Sequence, residues 1–235
     1  MARKKVLLFV VEGPTEELAL GLILTRLFSA QNEVRFEIMH GDITTQWGIG
    51  GRGSSDDAAF NVGERLRKSV IDYLGQTSPR LSWRDLGAII QITDTDSAFV
   101  PDEEVSCDEG HRDDILDRNH MKQKSVRRLL GRSSLTYQKR SVPYALYYFS
   151  RNMEHALSNR EGECSEREKV NLARAFRQRY KDDLQGFLDF LDTLLPSRVF
   201  AETWEYVFEG ANSRKRCSNL RLALSDAGDA GSGLD

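Results

Sequence analysis

The run Lys4-Lys5-Val6-Leu7-Leu8-Phe9-Val10-Val11, broken at once by Glu12-Gly13-Pro14, constrains the fold more than any other stretch of the chain. A short, continuous apolar run without alternation predicts a strand buried on both faces, as in a parallel sheet covered by helices. Thr15 is placed to cap a following helix. Glu16 and Glu17 fall in its first turn, where the positive end of the helix dipole favours acids, and the leucines from Leu18 to Leu27 with Phe28 supply its apolar surface. Strand, tight turn and helix open an α/β unit. The pattern recurs, with strands over 34–40, 86–92 and 145–149 and helices over 57–74 and 122–130. Such alternation predicts an α/β, Rossmann-like core: a mostly parallel four-stranded sheet with right-handed crossovers, flanked by helices.

Beyond Arg151 the periodicity turns helical. Ser165 with Glu168 three residues on is a capping-box pattern, and Leu184 to Leu195 form a dense apolar set ended by Pro196. One further strand is expected over 203–208. The chain thus divides into an α/β domain over 1–158, a C-terminal helical region over 159–224 that packs on it or on a second copy, and a Gly, Ala, Ser and Asp tail over 225–235 whose composition predicts disorder.

No apolar run approaches the roughly 18 residues that span a bilayer, so membrane association is not expected. Three dispersed cysteines, Cys107, Cys164 and Cys217, give no disulfide framework and suit a reducing cytoplasm. With 33 Lys and Arg against 36 Asp and Glu, the net charge of -3 excludes an all-over basic coat. The total conceals segregation. Eight carboxylates lie between Asp102 and Arg118, whereas no acid occurs from Asn119 to Met153, where Lys122, Lys124, Arg127 and Arg128 begin a basic band. A second basic cluster comprises Arg214, Lys215, Arg216 and Arg221. A basic band beside an acidic site is what a phosphodiester substrate needs, since one neutralises phosphates while the other performs chemistry.

Open parallel sheets bind ligands outside the carboxyl ends of their strands. Glu12 directly follows the first strand, and Asp94 and Asp96 follow the strand ending at Ile92. If those strands are neighbours, three carboxylates converge on one small volume, and a hard divalent cation resolves their repulsion. The residues Val11-Glu12-Gly13-Pro14-Thr15-Glu16 and Asp94-Thr95-Asp96 resemble the two signatures of the Toprim domain, shared by topoisomerases, bacterial primases, recombination-mediator proteins and OLD-family nucleases. Glu16 stands where Asp is usual. Ser150-Arg151-Asn152-Met153-Glu154-His155 is similar to the Asn-x-x-Glu segment of small stand-alone Toprim proteins of bacterial defence, the RloB-like and abortive-infection types. The resemblance covers roughly residues 4–155.

The resemblance implies a Mg²⁺- or Mn²⁺-dependent nuclease in which Asp94 and Asp96 hold the ion and Glu12 ligates it or acts as general base. Glu16 and Glu154 are secondary candidates, and Lys122, Lys124, Arg127 and Arg128 are expected to contact nucleic-acid phosphates. It further implies a cytoplasmic toxic effector of antiphage defence acting on DNA or tRNA, a homo-oligomer accompanied by an ATPase. The alternatives are a non-catalytic subunit that binds metal or nucleic acid, and a recombination-repair protein, although the zinc-finger and helix-hairpin-helix segments of the latter are missing. Gly48-Ile49-Gly50-Gly51-Arg52-Gly53 matches a dinucleotide-binding string but leads into Asp56 and Asp57, which would repel a pyrophosphate, so a loop is expected. Cys107, His111 and His120 have no zinc spacing.

Overall fold

The computed structural model describes residues 4–46, 59–106 and 109–229. The Gly48 to Gly53 string, Asp56, Asp57, Cys107 and residues 230–235 lie outside the described residues. Strand β1 (Lys5–Val11) leads through helix α1 (Pro14–Phe28) to β2 (Asn32–Ile38), which pairs parallel with β1. Helix α2 (Val62–Gln76) then carries the chain past β1 to β3 (Leu86–Asp94), parallel on its other side. Helix α3 (Arg112–Leu130) precedes a hairpin of β4 (Ser134–Tyr137) and β5 (Arg140–Phe149), and β5 pairs parallel with β3. The sheet therefore has five strands in the order β2-β1-β3-β5-β4, not the expected four, with β4 antiparallel at the edge.

β1 is buried on both sides, as its composition requires. Leu7, Phe9 and Val11 face the core shared with α1, while Val6, Leu8 and Val10 face the core shared with α2 and α3. A strand whose successive side chains point to opposite faces can be apolar throughout only if both faces are covered.

Five more helices follow: α4 (Met153–Ser158), α5 (Glu166–Tyr180), α6 (Leu184–Leu194), α7 (Phe200–Phe208) and α8 (Leu220–Asp229). The strand expected over 203–208 is helix α7 instead. Its Thr203, Trp204 and Val207 recur at helical spacing on a buried face, and Trp204 meets Tyr148 and Phe99 edge-on. The helical backbone of α8 runs to Asp229, into the segment whose composition predicts disorder.

Residues from 159 onward form no layer of their own. α5, α6 and α8 pack with α1 on one face, and α7 packs on the other. Between α7 and α8 the chain passes along β5, where Ser218 bridges Phe149, Cys217 and Ser150 exchange hydrogen bonds, and Asn219 Oδ1 accepts the Tyr148 N–H. Those contacts satisfy β5 where the shorter β4 does not reach. Among the described residues no helix is long and apolar enough to cross a membrane.

Candidate functional site

Strand order reverses between β1 and β3: α1 takes the chain to one side of β1, and α2 brings it back to the other. The carboxyl ends of β1 and β3 thus form a crevice, the position at which open α/β sheets bind ligands. Glu12 and Asp94 stand there together. Glu12 Oε1 accepts hydrogen bonds from the Thr93 hydroxyl at 2.7 Å and from the Asp94 N–H at 3.0 Å. Burial lifts the Glu12 carboxyl to a pKa of about 7; Lys122 opposes the rise, while the negative charges of Asp42 and Asp96 add to it.

The crevice opens as a cleft of about 460 Å³ whose lining includes Glu12, Glu16, His40, Asp94, Glu154, Glu166 and Lys169. Glu16, in the first turn of α1, is 6% exposed. Burial, with Glu154 nearby, raises it to about 7 against the Thr15 hydroxyl that donates to it. Asp94 is pushed well above the usual carboxylate range, by burial first and then by Glu12, Glu16 and Asp96. Glu154, at the start of α4, is 5% exposed. The Asn152 side chain caps that helix by accepting the His155 N–H at 2.8 Å, which fixes the turn bearing Glu154.

Asp96 is held differently. Its backbone is left-handed, with φ of 48°, as is that of Arg151, with φ of 56°. The Asp96 N–H donates to the Arg151 carbonyl at 2.7 Å, and the Arg151 N–H donates to the Thr95 hydroxyl at 2.8 Å. Two unfavourable conformations persist because each is bonded to the other segment, and such outliers concentrate at functional sites. Asp96 Oδ2 accepts from Lys122 at 2.8 Å and from Arg118 at 2.7 Å. Burial would raise Asp96, but these two cations outweigh it and hold the carboxyl below its ordinary value.

Lys122 corrects a sequence expectation. Expected to contact phosphate on a basic surface, it is 1% exposed and points inward to Asp96, to Asp42 at 2.9 Å and to Glu12 at 3.9 Å. Burial disfavours its charge, but those three carboxylates prevail and keep it protonated. One signal was available: Lys122, Val126 and Leu129 share the spacing of the buried stripe of α3.

Asp42 had no such signal beyond its position after β2. Its carboxylate accepts from the Thr44 N–H at 2.8 Å and from the Thr44 hydroxyl, which orients it toward Lys122. Lys124, Arg127 and Arg128 are exposed and outside the cleft. The Arg127 guanidinium lies 4.2 Å over the Phe208 ring and that of Arg128 5.1 Å over Phe60. The C-terminal basic cluster is largely engaged within the chain: Arg214 pairs with Glu104, Arg216 donates to the Ala156 and Leu157 carbonyls, and Arg221 pairs with Asp192.

Lys169 and Glu166 come from α5, in the region the sequence assigned to packing. Lys169 pairs with Glu166 at 2.9 Å, and the Ser165 and Glu168 capping box begins this helix as its spacing predicts.

The donor set is chemically suited to a hard divalent ion: carboxylate oxygens, three of them raised by burial and mutual repulsion, beside a buried Glu154 whose carboxylate has no hydrogen-bond or ion-pair partner among the described residues. Among those residues no three His, Cys, Asp or Glu side chains stand as a ready-formed metal-ligating group. Mg²⁺ does not demand one, since it keeps several waters and is commonly bound through one or two carboxylates together with substrate phosphates. Fold and site thus define an α/β protein with an acidic cleft at its topological switch point. No family model, curated protein or solved structure matches the chain.

Proposed function

We propose that this chain is a Toprim-type, metal-dependent nuclease that hydrolyses phosphodiester bonds of DNA or RNA, an effector of bacterial antiphage defence working beside an ATPase. The observation that carries the reading is the convergence of Glu12, Glu16, Asp94 and Glu154 on one cleft at the switch point. A divalent ion bound there would polarise the scissile phosphate and stabilise the leaving oxygen.

The chain's own residues do the remaining work. Glu12, fixed by Thr93 and the Asp94 N–H and with a pKa of about 7, is matched to taking a proton from an attacking water near neutral pH. Lys122 and Asp42 hold Asp96 and Glu12 in place from beneath. Lys169 sets a positive charge at the rim, where a substrate phosphate would enter.

The test is incubation of the purified chain with supercoiled DNA, linear DNA and total tRNA, with and without Mg²⁺ or Mn²⁺, beside Glu12→Ala and Asp94→Ala. Metal-dependent cleavage lost in both variants, with circular dichroism unchanged, is the expected result, and the substrate cut names the nucleic acid. Metal binding without cleavage of any of the three would replace this reading with that of a regulatory subunit.

A further inference from the structure

The carboxylates at the switch point fall into two sets with opposite charge balance. In the first, the Lys122 ammonium touches Asp96 at 2.8 Å and Asp42 at 2.9 Å, with Glu12 at 3.9 Å, and Arg118 adds a second cation on Asp96 at 2.7 Å. This set is internally compensated by a side chain that is 1% exposed. In the second set, Glu16, Asp94 and Glu154 face the cleft. The lysine that lines the cleft with them is Lys169, whose ammonium is already bound to Glu166 at 2.9 Å. Glu154 is 5% exposed, and its carboxylate has no hydrogen-bond or ion-pair partner among the described residues.

A two-ion phosphodiesterase centre places its metals about 3.5–4 Å apart, bridged by a shared carboxylate. Here Glu12 stands between the two sets, and one of the two positions beside it is filled by an ammonium. A second ion on that side of Glu12 would have to displace Lys122 from Asp96 and Asp42, which is strongly unfavourable for a buried lysine.

We infer that the cleft takes a single divalent ion, held on the side of Glu16, Asp94 and Glu154, and that Lys122 is a built-in cation standing where a two-ion centre would carry its second metal. The inference rests on the metal-dependent reading of the site and specifies its stoichiometry. Asp96, the second acid of the Asp-x-Asp motif, is thereby a partner of Lys122 and Arg118 and not a ligand.

The experiment is titration of the full-length chain with Mn²⁺, followed by electron paramagnetic resonance of the free ion and by calorimetry. One Mn²⁺ per chain is expected. Glu154→Gln should weaken it by about tenfold or more, since groups that only orient a ligand are already worth about 10- to 100-fold, while Asp42→Asn should leave affinity within about twofold. Lys122→Met, if circular dichroism shows it folded, should bind two ions. Two ions on the unaltered chain would overturn the inference and leave the nuclease reading standing, whereas none would remove the nuclease reading itself. Loss of the ion in Asp42→Asn with retention in Glu154→Gln would also overturn the inference, as would a folded Lys122→Met that binds one. Should Lys122→Met fail to fold, the other two variants decide.

Discussion

Asp94 and Asp96 lie two residues apart at the end of one strand, and the structure drives them in opposite directions. Asp94 faces the cleft among other acids and is held well above the ordinary carboxylate range, while Asp96 faces Lys122 and Arg118 and is held below it. Burial acts on both in the same sense. The difference is made by partners: a buried carboxylate with a fixed cation is a structural charge, and one without is a charge waiting for an ion or a proton. The same contrast separates the whole Lys122 side of the site from the Glu154 side, and it can be broken or sharpened by substitution.

The largest expected effect is on the Lys122 side. Lys122→Met leaves Glu12, Asp42 and Asp96 together with no buried cation, and should destabilise the chain by about 3–5 kcal/mol in urea denaturation at pH 7. An unchanged midpoint would mean that the cluster draws its compensation from elsewhere.

On the Glu154 side the sign reverses. Glu16 is raised from 4.5 to about 7, so the folded chain binds more protons than the unfolded chain between those values, and stability falls as the pH rises through that window. Glu16→Gln should therefore be more stable than the unaltered chain at pH 8, by about 3 kcal/mol at most, and show little difference at pH 4. Added Mg²⁺ should narrow the gap by stabilising only the chain that retains the carboxylate. Equal stability at both pH values would remove the contrast between the two sides.

Asp96→Asn tests the paired member of the motif. It should destabilise by about 2 kcal/mol at pH 7, the scale of hydrogen bonds to charged groups. Because the Asp96 carboxyl is lowered, its contribution is present above the ordinary value of 3.8 and is lost as the pH falls below it. Thermal denaturation from pH 7 to pH 3 should show the variant and the unaltered chain converging.

The smallest effect is expected at the helix that brings Lys169 to the rim. Ser165→Ala removes the cap of α5 and should cost about 1 kcal/mol without altering the pH dependence of either side.

Much of this architecture is legible in the sequence because it follows from local rules. Val6 to Val11 can be satisfied only by burial on both faces, and Glu16-Glu17 and Ser165-x-x-Glu168 mark helix starts, although α1 is capped by Gly13 ahead of Pro14 and not by the expected Thr15, whose hydroxyl donates to Glu16 instead. The hairpin partner β4 is not legible because Ser134 to Tyr137 carries one buried residue, Leu135, too little for an alternation to register. The 203–208 segment has the composition of a strand because its aromatic and β-branched residues favour one, whereas it folds as a helix that buries Thr203, Trp204 and Val207 on one face. Propensity yielded to packing there.

What the sequence determined alone was the kind of site: acids directly after two fully buried strands, with Glu16 and Glu154 as further candidates. Only the tertiary structure decided which acids are partnered. Lys122 reads as part of a basic surface band because linear charge counting ignores which way a helix faces, and Asp42 reads as a loop residue because its partner lies 80 positions away. Charge compensation between distant segments depends on distances of 3–4 Å, and only the packing of α3 against the end of the sheet sets those distances.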